Sequence, residues 1–584
     1  MMPPMSIQCL ARIHRIAPFS AVVIALGCGA TPAPVTPATA AATQSAAPLS
    51  SAAPPVATAP RDPFVVPGAL QKEAIPSAAP AAIDPSKLVL AALRGKDARK
   101  DDPASIEIPA APKECGKYLS NKGKAKGACD KRDSALALLD EALSESDSLK
   151  RDAKLAALEA CAGLPSGMVR ALRADLGPAE CGDVLVAPVL AAKTPPSPDV
   201  HQVLLGLGLG ARLRRAATGE PKLAPPHDKP RVKEFINGPM ATWVTAQAKV
   251  VEQISRAGVD LSFYARGIVA VEAGMADMRI VEAVRAAPIP DEIAKDAELK
   301  DAYFSSLEQS LDPRKVRGRD AALVGLRDLA SVGVISDARV DRARALLSKM
   351  FGGRRIDALD KLALPALPGP SAPATIEQRL ASTLPTFYAG LLLAPEAARD
   401  PGMMRQFVQR GVPVAQRKVL QTAGDLPREV EQLAWRARMA MGQHYWRAVD
   451  FDEATALAVK LRGNAPLGEE STFLLALSLA TRGGPRDAAE MMFVAPALSL
   501  GIGNIGALDA IAAANAPLSG LAGLDAAMIL QVSPPDKPDA AFWTSLANRY
   551  RTAAGSLSEP ELKNFAMQRA KSAEEIAKAA PGAR

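Results

Sequence analysis

Cysteine and histidine are the side chains in this sequence best able to do chemistry, and their spacing decides which chemistry is open to them. Six cysteines occur: Cys9 and Cys28 near the start, then Cys115, Cys129, Cys161 and Cys181. No pair has C-x-x-C spacing and no histidine lies near them, so the last four do not read as zinc ligands, and no metal is expected. Four thiols in an oxidising compartment point instead to two disulfides, with three connectivities open. Pairing of Cys115 with Cys129 and of Cys161 with Cys181 is expected, because each closes a short local segment. The histidines are His14, His201, His227 and His444. None stands at a recognisable ligand or triad spacing from a carboxylate or a cysteine.

Other catalytic signatures are missing as well. The chain holds no H-E-x-x-H, G-x-S-x-G, Walker A or S-x-x-K sequence, each of which places its nucleophile, ligand or phosphate cradle at fixed offsets. Gly501-Ile502-Gly503-Asn504-Ile505-Gly506 is a literal G-x-G-x-x-G. A dinucleotide reading needs a preceding strand in a βαβ unit, and the flanking pattern is helical, so a loop between hairpins is expected. Gly206, Gly208 and Gly210 lie among leucines and read as close helix contacts or a turn. The basic run Arg314, Lys315, Arg317 and Arg319 reads as a solvated loop after Pro313; its other reading is contact with lipid headgroups or anionic envelope polymers. No cofactor is expected. Only a glycosidase-type pair of carboxylates, which need not be near in sequence, stays open as catalysis.

The chemistry expected of Cys28 is lipidation. Arg12 and Arg15 form a positive segment, Ile16 to Gly27 is mostly apolar, and Ala25-Leu26-Gly27 precedes Cys28. About a dozen apolar residues cannot cross a ~30 Å hydrocarbon core, which needs ~20, so a cleaved signal is expected rather than a transmembrane helix. The segment resembles a bacterial lipoprotein signal peptide with its lipobox. That resemblance implies that Cys28 becomes the lipidated first residue of the mature chain. Gly29 in place of an aspartate implies the outer membrane, facing the periplasm. From Gly29 to about Asp84 the chain is Ala, Pro, Thr and Ser with little charge. Such a stretch cannot bury enough apolar surface to offset ordering. It reads as a disordered tether that reaches at most ~170 Å at ~3.1 Å per residue.

The elements that follow are expected to be all α. Aromatics are only 4%, Ala and Leu dominate, and long runs of good helix formers are broken by Gly and Pro. The formal net charge of +8 falls to 8 − 2 = +6 when Arg12 and Arg15 leave, small for this length, so nucleic acid is not an expected partner. Leu136, Leu139 and Leu143 mark one helix face. Leu155 and Leu158 mark a second helix, stopping near Gly163. A third, from about Pro165, carries Val169, Leu172 and Leu176 and stops at Gly177. The lysine-rich stretch from Lys113 to Arg132 reads as a disulfide-closed loop. Trp243, Val250, Val251 and Ile254 form a stripe ending at Gly258, with Asp260 placed to cap the next helix. Ser336-Asp337-Ala338 opens a helix with Val340, Ala343 and Leu347 inward and Arg339, Arg342 and Arg344 outward. Ser558-Glu559-Pro560-Glu561 reads as a capping box before a last helix whose Leu562, Phe565, Ala566, Ala573 and Ile576 share a face. The expected organisation is a signal peptide (1–27), a tether (28–84), a cysteine-containing helical domain (85–193), a helical hairpin domain (194–365) and a helical repeat domain (366–584), with the Pro-rich stretch from Leu364 to Thr375 as the internal boundary.

The repeat rests on Gly442, Tyr445, Ala454 and Pro466, whose offsets resemble the tetratricopeptide pattern. Adding 34 to the first three lands on Ala476, Leu479 and Ala488, so the small–large–small pattern recurs in register. Small residues let the two helices of a hairpin approach, and the large one fills the gap to the next hairpin. The resemblance covers about two repeats. It implies stacked helical hairpins, an α-solenoid whose groove binds peptides or protein segments. The expected function is a non-catalytic, lipid-anchored envelope scaffold that binds other envelope proteins. The alternative is an enzyme, accessory or regulator acting on cell-wall synthesis.

Overall fold

The structure is a computed structural model of the 584-residue chain. It describes residues 84–94, 108–121, 123, 129–332, 334, 337–351, 362–365, 372–393, 400–409, 432–433, 435–436, 472–474, 476–477, 505–532, 534–535 and 537–580. Among these every regular element is a helix and no strand occurs. No described helix is long and apolar enough to cross a membrane. In chain order the helices are α1 (Pro85–Arg94), α2 (Cys115–Ser120), α3 (Arg132–Leu143), α4 (Ser148–Ala157), α5 (Met168–Leu176), α6 (Gly182–Leu190), α7 (Pro198–Arg215), α8 (Lys229–Phe235), α9 (Ala241–Ala257) and α10 (Phe263–Arg285). They continue with α11 (Asp291–Lys295), α12 (Ala297–Ser331), α13 (Ala338–Phe351), α14 (Ile376–Thr383), α15 (Thr386–Leu392), α16 (Pro401–Gln409), α17 (Ile505–Ala513), α18 (Ser519–Val532), α19 (Ala540–Ser556) and α20 (Pro560–Ala579).

Local chemistry sets many of the ends. Asp147, Asp228 and Asp539 each accept a hydrogen bond from the backbone N–H three residues on, at 2.8, 3.0 and 2.8 Å, satisfying donors that a helix start leaves unpaired. Pro198 opens α7, and Arg212, Arg214 and Arg215 sit in its last turn, where the helix dipole favours cations. The chain passes from α8 into α9 through a π-turn, Ile236–Met240, which carries Pro239. α5 stops at Gly177 and α9 at Gly258, as their sequences predict.

Two further caps differ from expectation. Ser262, not Asp260, stands at the N-cap of α10. Glu559 precedes α20 without a side-chain cap bond, and Pro560 stands in its first turn, where a missing N–H costs no helix hydrogen bond.

The core is built by close helix contact. α7 and α10 run parallel. A Cβ on Gly206 would stand 2.7 Å from the Ala265 Cα, so glycine there sets the spacing. Gly208 faces Val89 of α1 and Val186 of α6, and Gly210 faces Ile268. The three glycines are thus helix contacts inside α7. α10 and α12 run antiparallel along a seam of Gly267, Val271 and Gly274 against Gly318, Ala322 and Gly325. Among the described residues one buried apolar cluster includes side chains from Leu88 to Ala573.

Arginines that read as surface residues are drawn inside. Arg339 and Arg344 of α13 are buried, against the expectation that they face outward, while Val340 and Ala343 do face in. Arg339 pairs with Asp175 of α5 and with Asp337, and Tyr264 donates to the same Asp175 at 2.7 Å. Burial alone would lower the Arg339 guanidinium pKa, but Asp175 and Asp337 hold it well above its ordinary value. The basic run is likewise no loop: Arg314, Lys315, Arg317 and Arg319 lie inside α12, which continues through Pro313. Each is paired, Arg314 and Arg317 with Asp277, Lys315 with Glu308 and Asp312, and Arg319 with Asp320.

Both expected cysteine pairings are corrected. Cys115 bonds Cys181, and Cys129 bonds Cys161, with Cα separations of 5.4 and 5.2 Å. α3 and α4 form a hairpin that brings its two outer ends together, where the Gly163 N–H donates to the Cys129 carbonyl at 3.1 Å. α2 packs on α4 and α6, which carries Cys115 to Cys181. The two bonds are nested, and the stretch from Lys113 to Arg132 begins with helix α2 rather than forming one closed loop.

Candidate functional site

The last four helices carry a groove. α17 turns into α18 through a bend fixed by Ser519, whose hydroxyl donates to the Ile511 carbonyl and accepts from the Ala516 N–H, both at 2.8 Å. α18 packs antiparallel to α19: a Cβ on Gly520 would lie 2.6 Å from the Ser556 carbonyl oxygen. α20 folds back on α19 and is tied to it by an Arg551–Glu574 ion pair. Ala566, Ala570, Ala573 and Ala577 form its buried stripe. Ile576, expected on that stripe, is 38% exposed, since the alanines set a face narrower than the sequence pattern implies.

α17 and α19 thus lie side by side above α18, with a groove of about 710 Å3 between them. Gly523 of α18 forms its floor. Ala512 and Ala513 line one wall. The α19 wall is Ala541, Thr544, Ser545, Asn548, Thr552 and Ser556. Arg549 reaches across to Asp509 at 2.7 Å and fixes the width. Every wall side chain other than this pair is small, so another backbone can come close. The hydroxyls and the Asn548 amide offer donors and acceptors to it. Tyr550 points the other way, buried, and donates to Gln531 at 2.5 Å. Burial raises its phenol above the ordinary range.

A second cleft of about 400 Å3 opens between α9, α10 and α12. Val259, Val269, Ala270, Ala273, Ala321 and Val324 make it largely apolar. At one end Arg266 of α10 forms a two-pronged pair with Asp328 of α12, at 2.5 and 2.8 Å. The hydrogen bond to Asp328 raises the Arg266 pKa against the effect of burial. At the other end the polarity reverses, and Asp277 of α10 accepts from Arg314 at 2.6 Å and from Arg317 at 2.8 and 2.5 Å. Arg317 is raised chiefly by its hydrogen bond to Asp277, whereas burial lowers Arg314, which must share that carboxylate. Both aspartates are therefore engaged by guanidinium groups.

The residues read from the sequence as sites fall in different places. Cys115, Cys129, Cys161 and Cys181 meet as two bonds around α2 to α6. Ala476 is helical and fully buried. Cys28, Gly442, Tyr445, Ala454, Pro466, Leu479 and Ala488 lie outside the described residues, as do His444 and Gly501 to Asn504. His201 sits in the first turn of α7, and His227 Nε2 lies 3.3 Å from the Leu223 carbonyl. Both clefts escape a motif-based reading. The signal for the groove is the recurrence of small residues at Ala541, Ser545, Asn548 and Thr552, which places one face of α19 without bulk. Compared with known proteins, the chain matches no family model, no curated protein and no solved structure.

Proposed function

We propose that this protein is a lipid-anchored scaffold of the bacterial envelope that holds a segment of another envelope protein in the groove between α17 and α19. The observation that carries this reading is the arrangement of α17 to α20 as two consecutive antiparallel hairpins with the groove on the α17/α19 side. Stacked hairpins of this kind make extended grooves, and a groove with small walls admits a helix or strand of a partner. The tetratricopeptide-like register at Gly442, Tyr445 and Ala454 would extend the stack upstream. The lipobox at Cys28 and the Ala/Pro-rich stretch after it would tether the assembly to the outer membrane.

The test is site-specific photocrosslinking in cells. A photoreactive residue at Asn548, inside the groove, is expected to give one discrete protein adduct. The same residue at Lys571, exposed on α20, is expected to give none. Thr552→Trp, which fills the groove from an exposed position, should abolish the Asn548 adduct. Equal labelling at both positions, or an adduct indifferent to Thr552→Trp, would overturn the reading.

A further inference from the structure

The cleft between α9, α10 and α12 shares no residue with the α17/α19 groove and has no part in the scaffold reading. Its walls are aliphatic, and Val324 in its lining is 37% exposed, among the few large apolar side chains of the described residues that face water. A concave, mostly apolar site of several hundred Å3 with a few convergent polar groups is the form that small-molecule sites take. The charges and hydrogen-bonding atoms of the lining decide what such a molecule must carry.

No charge in the lining is spare. Its two arginines, Arg266 and Arg317, stand against four carboxylates, Glu252, Asp277, Asp320 and Asp328. Arg266 is held by Asp328 at 2.5 and 2.8 Å, and Arg317 by Asp277 at 2.8 and 2.5 Å, so an anion meets no free guanidinium. The two remaining carboxylates are matched on their own helices. Glu252 takes Arg256 at 3.1 Å, and Asp320 takes Arg319 at 2.7 Å, so a cation meets no bare carboxylate either. A charged head brought among these walls would lose its water without gaining a counter-ion, which costs far more than bringing in an uncharged one.

Ser255 of α9 is the one uncharged polar side chain of the lining. Its hydroxyl hydrogen is spent on the Val251 carbonyl, at 2.5 Å, so toward the cleft its oxygen can only accept. The complementary head is therefore a neutral donor.

We propose that this cleft binds an uncharged molecule with one aliphatic chain and a hydroxyl head, with the chain between α9, α10 and α12 and the hydroxyl donating to Ser255 Oγ. The aliphatic walls account for the chain, the closed ion pairs for the missing charge, and the spent Ser255 hydrogen for the donor. No covalent step is involved. A long-chain alcohol and a monoacylglycerol share this chemistry, and the two are separated by comparing decanol with monodecanoylglycerol.

The assay uses the full-length chain carrying Cys28→Ala, so that no attached lipid competes, with the uncharged fluorophore N-phenyl-1-naphthylamine as the probe. Saturable binding of one probe per chain is expected. Decanol should displace it about tenfold or more better than decanoate or decylamine, whose charged heads find no partner. Affinity should rise about three- to fourfold per added methylene from hexanol to decanol. Decanol should also outcompete its isomer 1-methoxynonane, which has no hydrogen to donate, and Ser255→Ala should narrow that gap. Ala321→Trp should block the probe, with its thermal melt compared to the parent chain to establish folding. Val324→Trp, at a more exposed position, serves if Ala321→Trp does not fold. Stronger displacement by monodecanoylglycerol than by decanol would assign the lipid as the source. Absence of saturable binding, displacement by decanoate or decylamine equal to that by decanol, a gap between decanol and 1-methoxynonane unchanged in Ser255→Ala, or binding untouched by the tryptophan variant would overturn the proposal.

Discussion

A Cβ on Gly274 of α10 would stand 2.6 Å from the carbonyl oxygen of Gly318 on α12. That is closer than a carbon and a backbone oxygen can come, so the two helices touch there only because residue 274 has no side chain. Gly274→Ala should push the seam apart and destabilise the fold by about 1–3 kcal/mol, the range for overpacking a tight contact. Gly555→Ala, where nothing lies within 4 Å of the added carbon, should instead be neutral or stabilising by up to ~1 kcal/mol through helix propensity. Chemical denaturation of the two variants beside the parent chain checks the contrast. Equal stabilities would show that α10 and α12 do not meet at this spacing.

Arg173 is 1% exposed and grips Asp152 through two hydrogen bonds of 2.8 Å, while also reaching Glu159 and the Tyr118 carbonyl. Arg173→Met would leave Asp152 buried beside a thioether. A loss of roughly 3–5 kcal/mol is expected, the usual cost of breaking a buried pair from one side. Arg173→Met/Asp152→Leu should recover a large part of that loss. Additive losses in this double-mutant cycle would mean that the two side chains do not depend on each other.

Asp525 in α18 is fully buried; its Oδ1 accepts from the Ala363 N–H at 2.7 Å, and burial holds its carboxyl well above the usual range. The folded protein therefore keeps the acid neutral, whereas the unfolded chain ionises it above about pH 3.9. Folding takes up a proton in that interval, so stability contributed by this site is greatest in acid. It falls as the pH rises from about 4 toward the folded-state value, by up to about 1.4 kcal/mol per unit. Asp525→Asn should be insensitive to this loss. Urea melts at pH 5 and pH 8 should show the variant gaining on the parent chain as the pH rises. A constant gap between them would refute a buried neutral acid.

Peptide mapping without reduction should recover Cys115 joined to Cys181 and Cys129 joined to Cys161. Removing either bond by paired Ser substitutions should cost roughly 2–5 kcal/mol. The outer bond, with a sequence separation of 66 against 32, is expected to cost more. Recovery of Cys115 with Cys129 would contradict the packing of α2 on α6.

Membrane association is predicted to depend on Cys28. On the proposed lipobox reading, Cys28→Ala should move the protein to the soluble fraction with its circular dichroism unchanged. Retention on membranes after a salt wash would remove the lipobox reading.

The helices themselves were legible in the sequence. The apolar spacing of Leu136 and Leu139, and the glycines at 177 and 258, fall where the structure has buried faces and helix ends. What escaped was everything decided between distant elements. Arg339 looks like a surface residue on a charged helix, and only a partner 164 residues away, Asp175, explains its burial. The cysteine pairing failed for the same reason, since short closures seemed natural until a helix hairpin joined the ends of a longer segment. The α17/α19 groove was illegible because its defining property is an absence of bulk, and alanine, serine and threonine in a helix announce no function individually.

The reversed ion pairs on α10 and α12 have a mechanical meaning. Sliding α12 by one helical turn, about 5.4 Å, would carry Asp328 away from Arg266 and Arg317 away from Asp277 together. Two buried carboxylates would lose their cations in a single step, and the glycine seam would meet side chains where it now meets backbone. Each end acts as a key cut for the other, so shear between these two helices is closed to the protein as a way of changing shape. α10 and α12 therefore stand as one wall of the adjoining cleft that cannot slide, with α9 packed against α10 on its other side.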